Sequence, residues 1–158
     1  MAHIKLIVFD VDGTLTDGKI YLGEHGEVMK AFNIKDGLAI KEVLPRYGII
    51  PAIITGRKST IVQKRCAEIG IVHLYQGIKD KVKQIEELLA ECRLKFENVA
   101  YMGDDINDLE CMKKCAVAGC PHDAIDCVKA VSKFIADSDG GCGAAREFIE
   151  WLLKVYQD

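Results

Sequence analysis

Ile4-Lys5-Leu6-Ile7-Val8-Phe9-Asp10-Val11-Asp12-Gly13-Thr14 is a short apolar run that ends abruptly in two aspartates and a glycine. Its length and nearly unbroken apolar character are those of a parallel strand buried on both faces. Asp10 and Asp12 stand two residues apart, so extended chain aims both carboxylates to one side. Gly13 then lets the chain turn away, leaving the pair at the carboxyl end of the sheet, where open α/β folds hold their ligands. Two like charges roughly 4 Å apart cost on the order of 4 kcal/mol at an effective dielectric of about 20. Such a pair calls for a cation, a proton or a catalytic task. Taken alone, D-x-D-G is as readily a turn cap beside a solvated loop acid.

Outward from this strand, apolar runs alternate with amphipathic stretches. The pattern predicts strands at about 4–9, 50–54, 72–75, 98–102, 116–118 and 132–135. Between and after them it predicts helices at about 36–46, 58–69, 80–92, 106–114, 122–127 and 143–156. Strand alternating with helix gives an α/β fold, a doubly wound, Rossmann-like parallel sheet with helices on both faces. One segment breaks the rhythm. Ile20–Leu22 and Glu27–Phe32 flank Gly23-Glu24-His25-Gly26, which reads as a β-hairpin outside the main sheet, standing over the Asp crevice as a flap.

The 158 residues suit one domain, 1–158, with one sizeable core. A net charge of −3, without a basic stripe, argues against nucleic acid or a membrane surface as partner. The apolar runs are strand-length, so none spans a bilayer, and no export signal precedes Asp10. Seven cysteines without a C-x-x-C pair fit free thiols in a reducing cytoplasm. Cys111, Cys115 and Cys120 lack a fourth soft ligand nearby and read as small buried side chains.

Three later strand ends supply partners for Asp10 and Asp12. Ile53-Ile54-Thr55-Gly56-Arg57-Lys58-Ser59 closes a strand on a hydroxyl and a glycine and opens a helix, an arrangement that receives phosphate. Standing alone, Thr55 or Ser59 would simply cap that helix. Lys81, in Gln76-Gly77-Ile78-Lys79-Asp80-Lys81, either carries a charge into the crevice or sits on a wet face with Lys79 and Lys83. Met102-Gly103-Asp104-Asp105-Ile106-Asn107-Asp108 ends a fourth strand in three carboxylates, more than one cap and one dipole partner explain. Carboxylates gathered at neighbouring strand ends call for a hard divalent cation, best Mg²⁺. Asp108 alone also fits as a brace of its loop.

D-x-D-G-T, then hydrophobic-T-G, a lysine, and G-D-D-x-x-D together resemble the haloacid dehalogenase superfamily of phosphotransferases over nearly the whole chain. The resemblance implies Asp10 as nucleophile, Asp12 as general acid/base, and Thr55 and Lys81 as phosphate binders. It implies Mg²⁺ held by Asp10, the backbone carbonyl of Asp12 and Asp104, with Asp105 and Asp108 in support.

Only a hairpin and a helix separate Asp12 from Thr55, and only a helix and a strand separate Thr55 from Lys81, so no cap domain fits. Leu15–Gly18, Phe32–Gly37, Thr55-Gly56-Arg57 and Gly140–Glu147 resemble a capless, tetrameric branch of the superfamily, whose neighbouring subunits close each site. That branch releases phosphate from 3-deoxy-D-manno-octulosonate 8-phosphate for lipopolysaccharide assembly. The resemblance implies a small sugar-acid phosphate substrate, with Gly56 and Arg57 beside it and Arg57 pairing with its carboxylate. Lys35 and Asp36 fall on the flap and substrate side, and Arg65 is placed to reach an adjoining site. Cys142 stands where the branch usually carries an arginine.

Related branches act on nine-carbon nonulosonate 9-phosphates, and tend to carry glutamate at the position of Arg57. Two non-catalytic readings compete: a receiver module phosphorylated on aspartate, which lacks the late G-D-D-x-x-D, and an assembly domain of the kind fused to cytidylyltransferases.

Overall fold

The computed structural model describes residues 3–156. Strand β1 (Leu6–Phe9) is wholly buried and lies at the middle of a six-stranded sheet. It pairs in parallel with β4 (Ile50–Ile54) on one side and β6 (Val99–Met102) on the other. Beyond β4 lies β5 (His73–Tyr75), and beyond β6 lie β7 (Val117–Cys120) and β8 (Phe134–Ile135), all parallel. Ile7 and Phe9 enter one core and Leu6 and Val8 the other, as period-two alternation requires of a strand covered on both faces.

The Ile7 side is packed by α2 (Thr60–Ile69) through Val62, Cys66 and Ile69, and by α6 (Ala144–Tyr156) through Phe148, Ile149 and Leu152. The Leu6 side is packed by α3 (Lys81–Cys92), α4 (Leu109–Lys114) and α5 (Asp126–Val131). Each fully buried Leu, Ile or Phe contributes roughly 1.5–3 kcal/mol. The expected doubly wound sheet is therefore present, and its strand ends carry the acids. Cys111, Cys115 and Cys120 are buried core thiols, and burial pushes the Cys111 thiol up to about 12. All seven cysteines are free. No helix among the described residues is long and apolar enough to cross a membrane.

The hairpin exists as a separate two-stranded sheet, β2 (Tyr21–Gly23) and β3 (Gly26–Met29). It is shorter than expected, because Lys30–Phe32 leave the ladder. Two helices also differ from expectation. The first begins at α1 (Ile34–Leu38), where the Asn33 side chain accepts from the Lys35 and Asp36 amides. It then widens to a π turn (Ala39–Val43) and tightens to a 3-10 turn (Leu44–Tyr47). Pro45 has no N–H to give to the preceding turn, so regular α geometry cannot pass it. The helix expected at 122–127 is α5 and runs later. Residues after Pro121 form a turn in which Asp123 accepts from the Gly140 amide at 2.9 Å.

Candidate active site

The loops after β1, β4 and β6 converge on one cleft of about 190 Å³, lined by Asp10, Asp12, Thr55, Gly56, Arg57, Asp105 and Asn107. Asp10 follows the last residue of β1, and its amide donates to the Met102 carbonyl at 3.0 Å, continuing the sheet into the site. Gly13 turns the chain at φ +87°, and a Cβ there would lie 2.0 Å from the Asp104 carboxylate. The glycine of D-x-D-G is thus required twice, for its conformation and for the approach of the second acidic loop. That loop is tied down when Thr14 Oγ1 donates to Asp104 Oδ1 at 3.0 Å. From behind, Gly140 packs so tightly that a Cβ would meet the Gly13 carbonyl oxygen at 1.9 Å.

Lys81 is the first residue of α3 and is only 4% exposed, whereas Lys79 and Lys83 face solvent. Its ammonium lies 3.0 Å from Asp10 Oδ1 and 2.8 Å from Asp108 Oδ1. Burial alone would lower the Lys81 ammonium, but the charges of Asp10 and Asp108 outweigh it and raise it. Asp108 is fully buried and saturated. Its Oδ1 accepts from Tyr101 Oη and Lys81, and its Oδ2 from the amides of Asp104 and Asp105.

Carboxylate oxygens of Asp10, Asp104 and Asp108 lie within 4.8 Å of one another. Burial, then the charge of Asp108, raises Asp10 to about 6 despite Lys81. Burial, then the charges of Asp10 and Asp108, raises Asp104 to about 8. Asp104, pushed above neutral pH, is favoured in its charged form by a further cation, and an all-oxygen donor set fits Mg²⁺. Because Asp108 already accepts four hydrogen bonds, the ligands available for that ion are Asp10 and Asp104. The Asp12 carboxylate turns elsewhere, with Oδ1 2.5 Å from Lys30 Nζ and Oδ2 4.0 Å from Arg57 Nε.

Thr55 is buried at the end of β4; its amide donates to the Tyr75 carbonyl and its own carbonyl accepts from Ile78. Arg57 is half-exposed at the rim, its Nη2 3.8 Å from Glu27 Oε2. Asp105 is exposed and caps the short turn Ile106–Asp108, accepting from the Ile106 amide.

Three expected substrate contacts lie away from this cleft. Arg65 is turned onto its own chain: Nη2 donates to the Asn33 carbonyl at 3.3 Å, Nη1 pairs with Glu68 at 2.9 Å, and the guanidinium covers the Phe32 ring. With its side chain 17% exposed, it braces the loop before α1 and does not reach outward. Asp36 is 3% exposed and caps α6, its Oδ1 accepting from the Arg146 amide at 2.8 Å. Lys35 lines a separate groove with Ser138, Cys142, Gly143, Arg146, Glu147 and Glu150. Sequence reasoning also missed residues that touch the site. Lys30 and Glu27 resemble ordinary hairpin charges, and Tyr101 reads as strand core. Asn107 lies inside G-D-D-x-x-D and was findable there.

A description of haloacid dehalogenase-like hydrolases matches residues 67–148, and the chain belongs to that family. The chain is 44% identical to the 3-deoxy-D-manno-octulosonate 8-phosphate phosphatase KdsC of Salmonella typhi over 151 residues, 96% of this chain and 80% of that protein. The crystal structure of 3-deoxy-D-manno-octulosonate 8-phosphate phosphatase from Yersinia pestis superposes with a TM-score of 0.93 at 39% identity, over 99% of this chain and 84% of that one. The enzyme from Moraxella catarrhalis, solved with magnesium ion, phosphate ion and KDO, superposes with a TM-score of 0.92 at 40% identity, over 97% and 87% of the two chains.

Proposed function

We propose that this chain is a Mg²⁺-dependent phosphomonoesterase that converts 3-deoxy-D-manno-octulosonate 8-phosphate to the free sugar acid and phosphate. The observation that carries the reading is the placement of Lys81 between Asp10 and Asp108, with Asp104 alongside, where Asp10 lines the Thr55–Arg57 cleft. The similarity to enzymes named for this substrate supports the choice of ester.

Asp10 attacks phosphorus in line with the sugar oxygen, the P–O bond to the sugar breaks, and an aspartyl-phosphate forms. Asp12 gives its proton to the leaving oxygen, then takes one from the water that hydrolyses the intermediate. Lys81 keeps a positive charge beside Asp10 and the incoming dianion, while the Thr55 hydroxyl and Gly56 receive phosphate oxygens. When bound by Asp10 and Asp104, with the Asp12 backbone carbonyl, Mg²⁺ supplies the charge that offsets repulsion between carboxylate and phosphate. Asp108 and Asp105 hold the Asp104 loop. Arg57 pairs with the carboxylate of the sugar acid.

The same reading makes the protein a single-domain homotetramer in the cytoplasm. Support for assembly is the hairpin, whose Leu22, Val28 and Met29 are 69%, 61% and 53% exposed. Seven free thiols support a reducing compartment.

Assay of purified protein against a panel of sugar phosphates, in Mg²⁺ and in EDTA, tests the assignment. The expected result is Mg²⁺-dependent phosphate release, with kcat/KM for the eight-carbon phosphate at least about tenfold above the rest. Preference for the nine-carbon phosphate would replace the substrate, and no release from any ester in Mg²⁺ would remove the phosphatase reading.

A further inference from the structure

The Lys30 side chain is 1% exposed, which is rare for an ammonium outside a paired site. Lys30 follows the last residue of β3, and it makes two contacts: Asp12 Oδ1 at 2.5 Å and Glu27 Oε2 at 2.9 Å. Glu27, three residues back on β3, accepts from Ser59 Oγ at 2.6 Å through its other oxygen. Ser59 is the N-cap of α2, two residues beyond Arg57 of Thr55-Gly56-Arg57. Lys30 therefore joins the loop after β1 to the loop after β4 through the hairpin. The Asp12 carboxylate lines the cleft and is gripped by Lys30 on one oxygen, with the rim guanidinium of Arg57 4.0 Å from the other.

We propose that Lys30 is a positioning residue, holding the Asp12 carboxylate aimed at the leaving-group oxygen, so that docking of the hairpin and alignment of the proton donor are one event. The proposal rests on the role given to Asp12 above. Lys30 acts through Asp12, its ammonium contacting that carboxylate and Glu27. A buried cation on a rigid turn holds a carboxylate in one rotamer, whereas the half-exposed Arg57 is free to move with substrate.

The test compares two esters that differ only in their need for a proton. Expulsion of a sugar alkoxide requires proton donation, worth typically about 10²–10⁴-fold. Expulsion of p-nitrophenolate requires little. Because kcat/KM covers binding and the steps through departure of the alcohol but not hydrolysis of the intermediate, it includes only the step in which Asp12 acts as acid. For Lys30→Met in Mg²⁺, kcat/KM for the preferred sugar phosphate should fall by about 10²-fold, and that for p-nitrophenyl phosphate by less than about fivefold. Lys30→Gln, which keeps a donor without the charge, should show the same selective loss and carries the comparison if Lys30→Met does not fold. Equal losses on both esters, the signature of a hairpin that merely fails to pack, would overturn the proposal, as would unchanged ratios. An inactive wild-type protein would instead remove the phosphatase reading on which it rests.

Discussion

Lys81 Nζ lies 3.0 Å from Asp10 Oδ1, and the two residues are separated by 71 positions in sequence. The lysine reaches this point because the Asp80 side chain caps α3 by accepting from the Lys83 amide, which fixes Lys81 at the first turn of the helix and directs it inward. Asp10 is brought there by β1. A buried ion pair of this kind adds little stability by itself, but breaking it leaves uncompensated charge.

Lys81→Met should therefore destabilise the protein by about 3–5 kcal/mol at neutral pH, since Asp10 and Asp108 lose their shared cation. Urea denaturation measures the loss. An unchanged midpoint would show that the two carboxylates do not depend on Lys81.

The acid cluster should couple magnesium to pH. Asp10 and Asp104 are raised in the folded state to about 6 and about 8, above the ordinary carboxylate value. Their stabilisation is complete below pH of about 4 and is lost as pH rises through those folded values, by up to about 1.4 kcal/mol per pH unit for each group. In EDTA, the melting temperature should fall between about pH 4 and 8. Mg²⁺ favours the ionised acids, so its upward shift of the melting temperature should be larger at pH 8 than at pH 5.5. Thermal melts across that range, with and without the metal, check both signs; a Mg²⁺ shift independent of pH would contradict them.

Asp36 should act on stability through α6. Removing its carboxylate leaves the Arg146 amide without a cap, which typically costs about 0.5–2 kcal/mol. Asp36→Ala should lose that much in a urea titration, and Asp36→Asn, which retains an acceptor, should lose less.

The exposed hairpin should govern assembly. Leu22→Asp with Val28→Asp puts charge at two exposed apolar positions of β2 and β3 and should shift the proposed tetramer to smaller species in sedimentation equilibrium. A tetramer that survives both changes would place its interface elsewhere.

The sheet and its acids were legible in sequence because aspartates beside a glycine recur at the ends of two strands, more than caps and turns require. Asp10, Asp12, Thr55, Gly56 and Arg57 line one cleft, and Asp104 stands beside Asp10. Lys81 could not be told from Lys79 and Lys83 by pattern, since which lysine turns inward depends on where the helix begins. Lys35, Asp36 and Arg65 stand away from the cleft for a different reason. The segment Phe32–Gly37 docks on α2 and α6, far along the chain, and spends its polar groups on caps and braces there. Lys30 was invisible because a charge on a short hairpin usually faces water. Only the approach of that hairpin to Asp12 makes it part of the site.

The most direct test follows phosphorus itself. Protein mixed with the preferred sugar phosphate and Mg²⁺ would be quenched in acid within the first turnover, reduced with borohydride, digested and mapped by mass spectrometry. The account predicts modification at Asp10 in the wild type, accumulation of the same adduct in Asp12→Asn, and none in Asp10→Asn, whose turnover should fall by about 10⁴-fold or more. Modification at any other residue, or Asp10→Asn turning over at near wild-type rate, would contradict it.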